Sequence, residues 1–212
     1  MRRSSFLLLL TFLPVILASS ESCLTLDISA CNQTQISTVA GEPFSIFLKP
    51  SDAFIASCSS SCDTSLVNAS IAGQQATVEY ATTGSYYQLT WTNGLDVTGS
   101  FSITCKLNDG DVVNSPYPLV VTPAAEVPSR AIQKNYVSSA VVNSTVTFFV
   151  QSRDQYGNDV SVSQLLITVT LTQTLTNLVL PGSVAYLGNG KYEISFRGTL
   201  SGSYSLIIMV ET

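Results

Sequence analysis

Thr145–Asn158 reads TVTFFVQSRDQYGN, and Gly188–Val210 reads GNGKYEISFRGTLSGSYSLIIMV. In the first stretch Val146, Phe148 and Val150 alternate with other residues. In the second, Tyr192, Ile194 and Phe196 do so, and then Tyr204, Leu206 and Ile208. A period of two belongs to strands buried on one face, because successive side chains leave a strand on opposite sides. Gly and Asn tolerate positive φ, so Tyr156-Gly157-Asn158 and Gly188-Asn189-Gly190 mark chain reversals. The pattern predicts an all-β fold whose strands build a β-sandwich.

The same pattern occurs earlier in the chain. Gly41, Phe44, Ile46, Leu48 and Asp52 align at one constant offset with Asn143, Val146, Phe148, Val150 and Asp154. Tyr87, Leu89 and Trp91 align with Tyr192, Ile194 and Phe196, and Gly99, Phe101, Ile103 and Cys105 with Gly202, Tyr204, Leu206 and Ile208. The chain is a tandem repeat. Residues 21–122 form the expected first repeat, 123–130 a linker, and 131–212 the second. The two prolines of TPAAEVPSR favour an extended, semi-rigid connection.

The series F-x-V-x-x-x-D-x-x-G-N, N-G-x-Y-x-I-x-F and G-x-Y-x-L resembles the filamin-type immunoglobulin-like repeat. The D-x-x-G-N turn is shared with bacterial invasin-type repeats, whereas the two later strands favour filamin. The resemblance implies two immunoglobulin-like sandwiches. Val112–Val121, VVNSPYPLVV, resembles the closing strand of a filamin repeat, and no such segment follows the last strand of the second repeat before Thr212. The second repeat is therefore expected to be incomplete, with Tyr204–Val210 an open edge that a continuing chain or a strand-donating partner covers. In cytosolic filamins the groove between the third and fourth strands takes a partner's strand. By resemblance those strands are about Ser163–Thr172 and Ser183–Leu187, and Leu165, Leu166, Ile167 and Val169 line the candidate partner-binding edge.

Arg2 and Arg3, the apolar run Phe6–Leu17 and the small residues Ala18-Ser19-Ser20 make residues 1–20 a signal-peptide pattern. Loss of those arginines lowers the formal net charge of −5 by two. The remaining basic residues are unclustered, which argues against nucleic acid or anionic membranes as partners. An extracellular or cell-surface location follows, with any membrane attachment through a segment beyond Thr212. Sequons at Asn32, Asn68 and Asn143 are candidate glycosylation sites.

All five cysteines lie in the first repeat. An oxidising compartment makes disulfides the default. Cys105 has the register of an inward strand position and reads as a buried thiol. Cys23 with Cys31 and Cys58 with Cys62 are then the simplest local pairs, while sequence alone leaves other connectivities open. Where the second repeat has Tyr156-Gly157-Asn158, the first has Ala53-Phe54-Ile55 and a Ser/Cys-rich stretch to Ser65, a candidate for repeat-specific function.

The chain has no His, which removes Ser-His-Asp and Cys-His nucleophile pairs and His-based metal sites. Cys58 and Cys62 lack a second cysteine pair at zinc-finger spacing. Asn108-Asp109-Gly110-Asp111 reads as a tight turn in preference to a calcium loop. Trp91, Tyr87 and Phe101 alternate with polar residues and read as core in preference to a ligand platform. No enzyme, cofactor, metal or small-molecule substrate is expected. The reading is a cell-surface adhesion or recognition ectodomain whose partner is another surface protein, similar to gamete-expressed filamin-repeat adhesion proteins. The alternative is a structural spacer in a surface or wall protein.

Overall fold

The structure, a computed structural model, describes residues 36–50 and 62–211, together with the backbone of Cys23–Thr25. The leader pattern at 1–20, the Cys23 side chain, Cys31, Cys58, Asn32 and most of the Ser/Cys-rich stretch lie outside the described residues.

Regular structure among the described residues is strand, apart from two single turns of 3-10 helix. The first ten strands are β1 (Cys23–Thr25), β2 (Ile36–Val39), β3 (Phe44–Lys49), β4 (Val67–Ile71), β5 (Gln74–Gln75), β6 (Thr77–Ala81), β7 (Tyr86–Trp91), β8 (Gly99–Leu107), β9 (Gly110–Asp111) and β10 (Tyr117–Thr122). They form one sheet in the order β1-β3-β7-β6 and another in the order β2-β10-β8-β4-β5, with β9 paired to β8. The remaining strands are β11 (Ile132–Lys134), β12 (Thr145–Gln151), β13 (Leu166–Gln173), β14 (Val179–Pro181), β15 (Ser183–Gly188), β16 (Lys191–Arg197) and β17 (Tyr204–Glu211). These make a sheet β11-β12-β16-β15 and a sheet β14-β13-β17.

By packing, the chain divides into two compact units: one holds Ser45–Thr90 and Ile103–Tyr117, the other Gln35–Phe44, Trp91–Ser102 and Pro118–Thr212. In the first unit Ile46, Leu48, Tyr87, Leu89, Ile103 and Cys105 are fully buried, as their alternation requires. The aromatics Tyr87 and Trp91 are core residues, as expected. In the second unit Phe148, Val150, Tyr192 and Ile194 from one sheet meet Leu165, Ile167 and Val169 from the other in a single core cluster. Phe196, Leu206, Ile208 and Val210 pack on it and stay partly exposed. Two sheets closing on alternate apolar side chains make a β-sandwich.

Turn chemistry follows the sequence. Asn189 and Gly190, with φ of 51° and 66°, lie between the paired residues Gly188 and Lys191. Two consecutive positive φ values suit the twist of a two-residue hairpin. At 108–111 the turn reading holds with a shifted register. Asn108 and Asp109 take the positive φ values, and Gly110 already pairs with Leu107.

Candidate functional site

Asp154 lies three residues past the end of β12, the strand that begins the diagnostic stretch, and its carboxylate is completely buried. Oδ1 accepts from the backbone N–H groups of Tyr156 (3.0 Å) and Asn158 (2.9 Å). Oδ2 accepts from Ala124 N (3.0 Å) and Asn158 Nδ2 (2.9 Å). Burial alone raises the carboxyl, but the donors from Asn158, Ala124 and Tyr156 outweigh it and hold the group below its ordinary range. The D-x-x-G-N motif is thus an anion wrapped by its own turn. Gly157, at φ +91°, supplies the reversal. Asn158 continues the network within the same unit, donating to Asp96 O (2.7 Å) and accepting from Thr98 N (3.1 Å).

A second carboxylate, Glu126 in the linker, was not singled out from sequence. Its Oε2 accepts from the hydroxyls of Ser152 (2.7 Å) and Ser163 (2.5 Å), and its Oε1 from Gln164 N (2.8 Å). Burial opposes ionisation here too. The donors from Ser163, Gln164 and Ser152 prevail and lower the carboxyl. Ala124 and Glu126 therefore tie the linker to the loop ends of the second sandwich. No local signal marks Glu126, because its partners lie 26 to 38 residues away. Asp159 pairs with Arg153 (2.8 Å) and Lys134 (3.1 Å) at the surface.

The candidate partner-binding edge is placed differently from its expectation. β13 lies between β17 and β14, but only its Thr170–Thr172 end is paired on both sides. All eight of its residues pair with β17, and Thr170–Thr172 also pair with β14. Leu165, Ile167 and Val169 point into the core and are buried; of the four residues only Leu166 faces solvent, at 60% exposure. The difference lies in the alternation: Leu165, Ile167 and Val169 take the inward positions and join the core cluster, while β14 pairs only with Thr170–Thr172. Its pairing covers part of the edge that the resemblance left free.

Outward-pointing residues of this sheet form a nearly uncharged surface. Thr168 stands opposite Met209, Thr170 opposite Ile207 and Thr172 opposite Ser205. Leu166, Val179, Ile207 and Met209 are exposed there. Glu211, opposite Leu166, is the charge at its end.

Of the other candidates, Asn68 on β4 and Asn143 are exposed. Cys62 is disulfide-bonded. Cys105 is a free thiol, fully buried, and burial pushes it up to about 12. Among the described residues no three His, Cys, Asp or Glu side chains group in a way that holds a metal ion. No helix among them is long and apolar enough to cross a membrane.

No family model and no curated protein matches the chain. Solved structures do. The chain is similar to invasin, a bacterial integrin-binding protein, at 15% identity and a TM-score of 0.52 over 88% of this chain and 36% of that one. It is similar to the Escherichia coli adhesin FdeC at 19% identity and a TM-score of 0.45, over 91% of this chain and 60% of that one. The Lin-41 filamin domain matches at 14% identity and a TM-score of 0.33, over 49% of this chain and 94% of that one. The chain thus spans 60% of the FdeC chain and about a third of the invasin chain. At these identities the likeness concerns the fold. That fold is all-β, of immunoglobulin-like sandwiches in tandem.

Proposed function

We propose that this chain is the non-enzymatic, extracellular part of a cell-surface adhesion or recognition protein, built of filamin-type immunoglobulin-like repeats and working in gamete or other cell–cell attachment. The observation that carries this reading is the outward face of the β14-β13-β17 sheet. A solvated sheet face ordinarily carries charged and polar residues, yet this one exposes Leu166, Val179, Ile207 and Met209 among threonines. Such a surface binds a protein partner at little desolvation cost. The invasin fold likeness adds a precedent for sandwiches of this kind in a bacterial integrin-binding protein. The filamin-type edge belongs to the same reading, with Leu166 its exposed contact. Disulfides Cys23–Cys31 and Cys58–Cys62 and glycans on Asn32, Asn68 and Asn143 are part of the proposal. Neither sequon among the described residues, Asn68 or Asn143, falls on the apolar face.

The spacer reading is favoured by a different observation, the anchoring of linker residues Ala124 and Glu126 by four hydrogen bonds. One experiment separates the two. Protein from residue 21 to 212 is applied to cells, alongside the double variant Ile207→Arg/Met209→Glu, whose exposed positions leave folding intact. Adhesion predicts saturable binding to a subset of cells that the variant loses at least tenfold with an unchanged melting temperature. Uniform absence of binding, or equal binding by the variant, refutes the adhesive face and leaves the spacer.

A further inference from the structure

Fold-equivalent positions of the two repeats carry opposite chemistry on one sheet face. Ala69 pairs with Cys105 on β8, and Val169 pairs with Ile208 on β17. Because Cys105 and Ile208 align in the internal repeat, Asn68 and Ser70 on β4 correspond to Thr168 and Thr170 on β13. Their cross-strand partners Lys106 and Thr104 correspond to Met209 and Ile207. In the first repeat this face is polar. Lys106 stands opposite the sequon residue Asn68, and the hydroxyls of Ser70 and Thr104 hydrogen-bond at 2.8 Å. In the second repeat Met209 and Ile207 are 54% and 52% exposed, and Glu211 at the end is the single charge among the described residues of the face. The fold therefore does not impose an apolar face here, since only one of the two repeats has it.

The other sheet of the second sandwich is an ordinary solvated face. Its outward positions hold Lys134, Glu193 and Arg197, and Lys191 sits 3.8 Å from the centre of the Phe149 ring. The apolar surface is thus confined to one side of one repeat.

We propose, resting on the adhesive reading above, that the partner of this face is the same face of a second copy of this chain, packed sheet on sheet. Two observations select a second copy over an unlike protein. A face without charge offers an oppositely charged partner nothing to pair with, and it sets no like-charge repulsion between copies of a chain of formal net charge −5. The face also has two unlike halves, with Thr168, Thr170 and Thr172 on β13 and Met209 and Ile207 on β17. A two-fold axis along the strands lays the short threonine row of each copy under the longer methionine and isoleucine side chains of the other, so one patch serves as both partners. A glycan on Asn68, at the position of Thr168, keeps the corresponding face of the first repeat out of the contact. Extent sets the strength. The two eight-residue strands and the three residues of β14, at ~3.3 Å per residue and ~4.8 Å between strands, cover about 300 Å². A stable complex buries about 800 Å² per partner. The contact is therefore weak between single molecules and holds between arrays on two surfaces, where many contacts act together.

Beads coated densely with the 21–212 protein, secreted with its glycans, test this by clumping. Parent beads are expected to clump. Beads with Met209→Lys and beads with Met209→Glu each clump about tenfold less or worse among themselves, and the two kinds clump with each other when mixed. Thr168→Asn, which completes a sequon with Val169 and Thr170, puts a glycan on the face that is verified by mass and abolishes clumping. Thr168→Asn/Thr170→Ala, which lacks the acceptor motif, clumps as the parent does. Thermal melts of every variant match the parent. Parent beads that stay dispersed, or Met209 variants that clump like the parent, overturn the proposal. Parent protein that binds a subset of cells through Ile207 and Met209 but never clumps also overturns it, leaving the face adhesive toward an unlike partner. Protein that neither clumps nor binds cells removes both readings.

Discussion

Asp154→Ala tests the claim that a wrapped anion organises the second repeat. The substitution removes both carboxylate oxygens from a site with no solvent exposure. The backbone N–H groups of Ala124, Tyr156 and Asn158 then lose their acceptor. A buried donor left unpaired costs about 1–3 kcal/mol, so three of them, partly relieved by water entering the cavity, cost about 4 kcal/mol. For a domain of this size that lowers the melting temperature by about 15 °C or more. Asp154→Asn separates charge from geometry. Its Oδ1 keeps the N–H groups of Tyr156 and Asn158, but its amide nitrogen faces two donors, Ala124 N and Asn158 Nδ2, so the loss is about 2 kcal/mol. Urea unfolding and thermal melts followed by circular dichroism give both values. An Asp154→Ala protein within about 1 kcal/mol of the parent refutes the account, because a mere surface turn residue costs no more than that.

Three further outcomes follow from single features. Gly190 has φ +66°, and a Cβ there overlaps the Val160 carbonyl oxygen, so Gly190→Ala costs about 2 kcal/mol or more in urea unfolding; a neutral result disproves the tight approach. The carboxyls of Asp154 and Glu126 are depressed in the fold. Their stabilisation is therefore present above the unfolded values near 4 and is lost as pH falls through the lower folded values. Melting temperature against pH should stay flat from 7 to about 5 and fall below about 4, and Asp154→Asn should flatten that fall. Cys105, buried and with its thiol pushed up to about 12, stays unlabelled by a thiol reagent at pH 8 in the native protein and reacts in denaturant; native labelling at the denatured rate contradicts its burial.

Much of the fold was legible because burial on one face imposes a period that survives in the linear sequence. Val146, Phe148 and Val150, and Tyr192 and Ile194, were read as inward and are core. The turn at Asn189-Gly190 was equally readable, since few residues accept consecutive positive φ. The partner edge was misread at Leu165, Ile167 and Val169. The resemblance marked the strand as an edge, but alternation turns these three side chains into the core, and the three-residue β14, which joins the strand at Thr170–Thr172, carries too short a pattern to announce itself. Glu126 was missed for a related reason. A linker carboxylate looks solvated until Ser152, Ser163 and Gln164 close on it from distant parts of the chain.

By itself, then, the sequence determined the strand class, the tandem repeat, the reversals and the inward faces, all of which depend on neighbours within a few residues. Only the tertiary structure decided the sheet order, the reach of Ala124 to Asp154, and the uncharged outward face of β13 and β17. Each of these depends on pairings across tens of residues. Hydrophobic alternation says that a strand buries one face, but it leaves open which strand lies alongside.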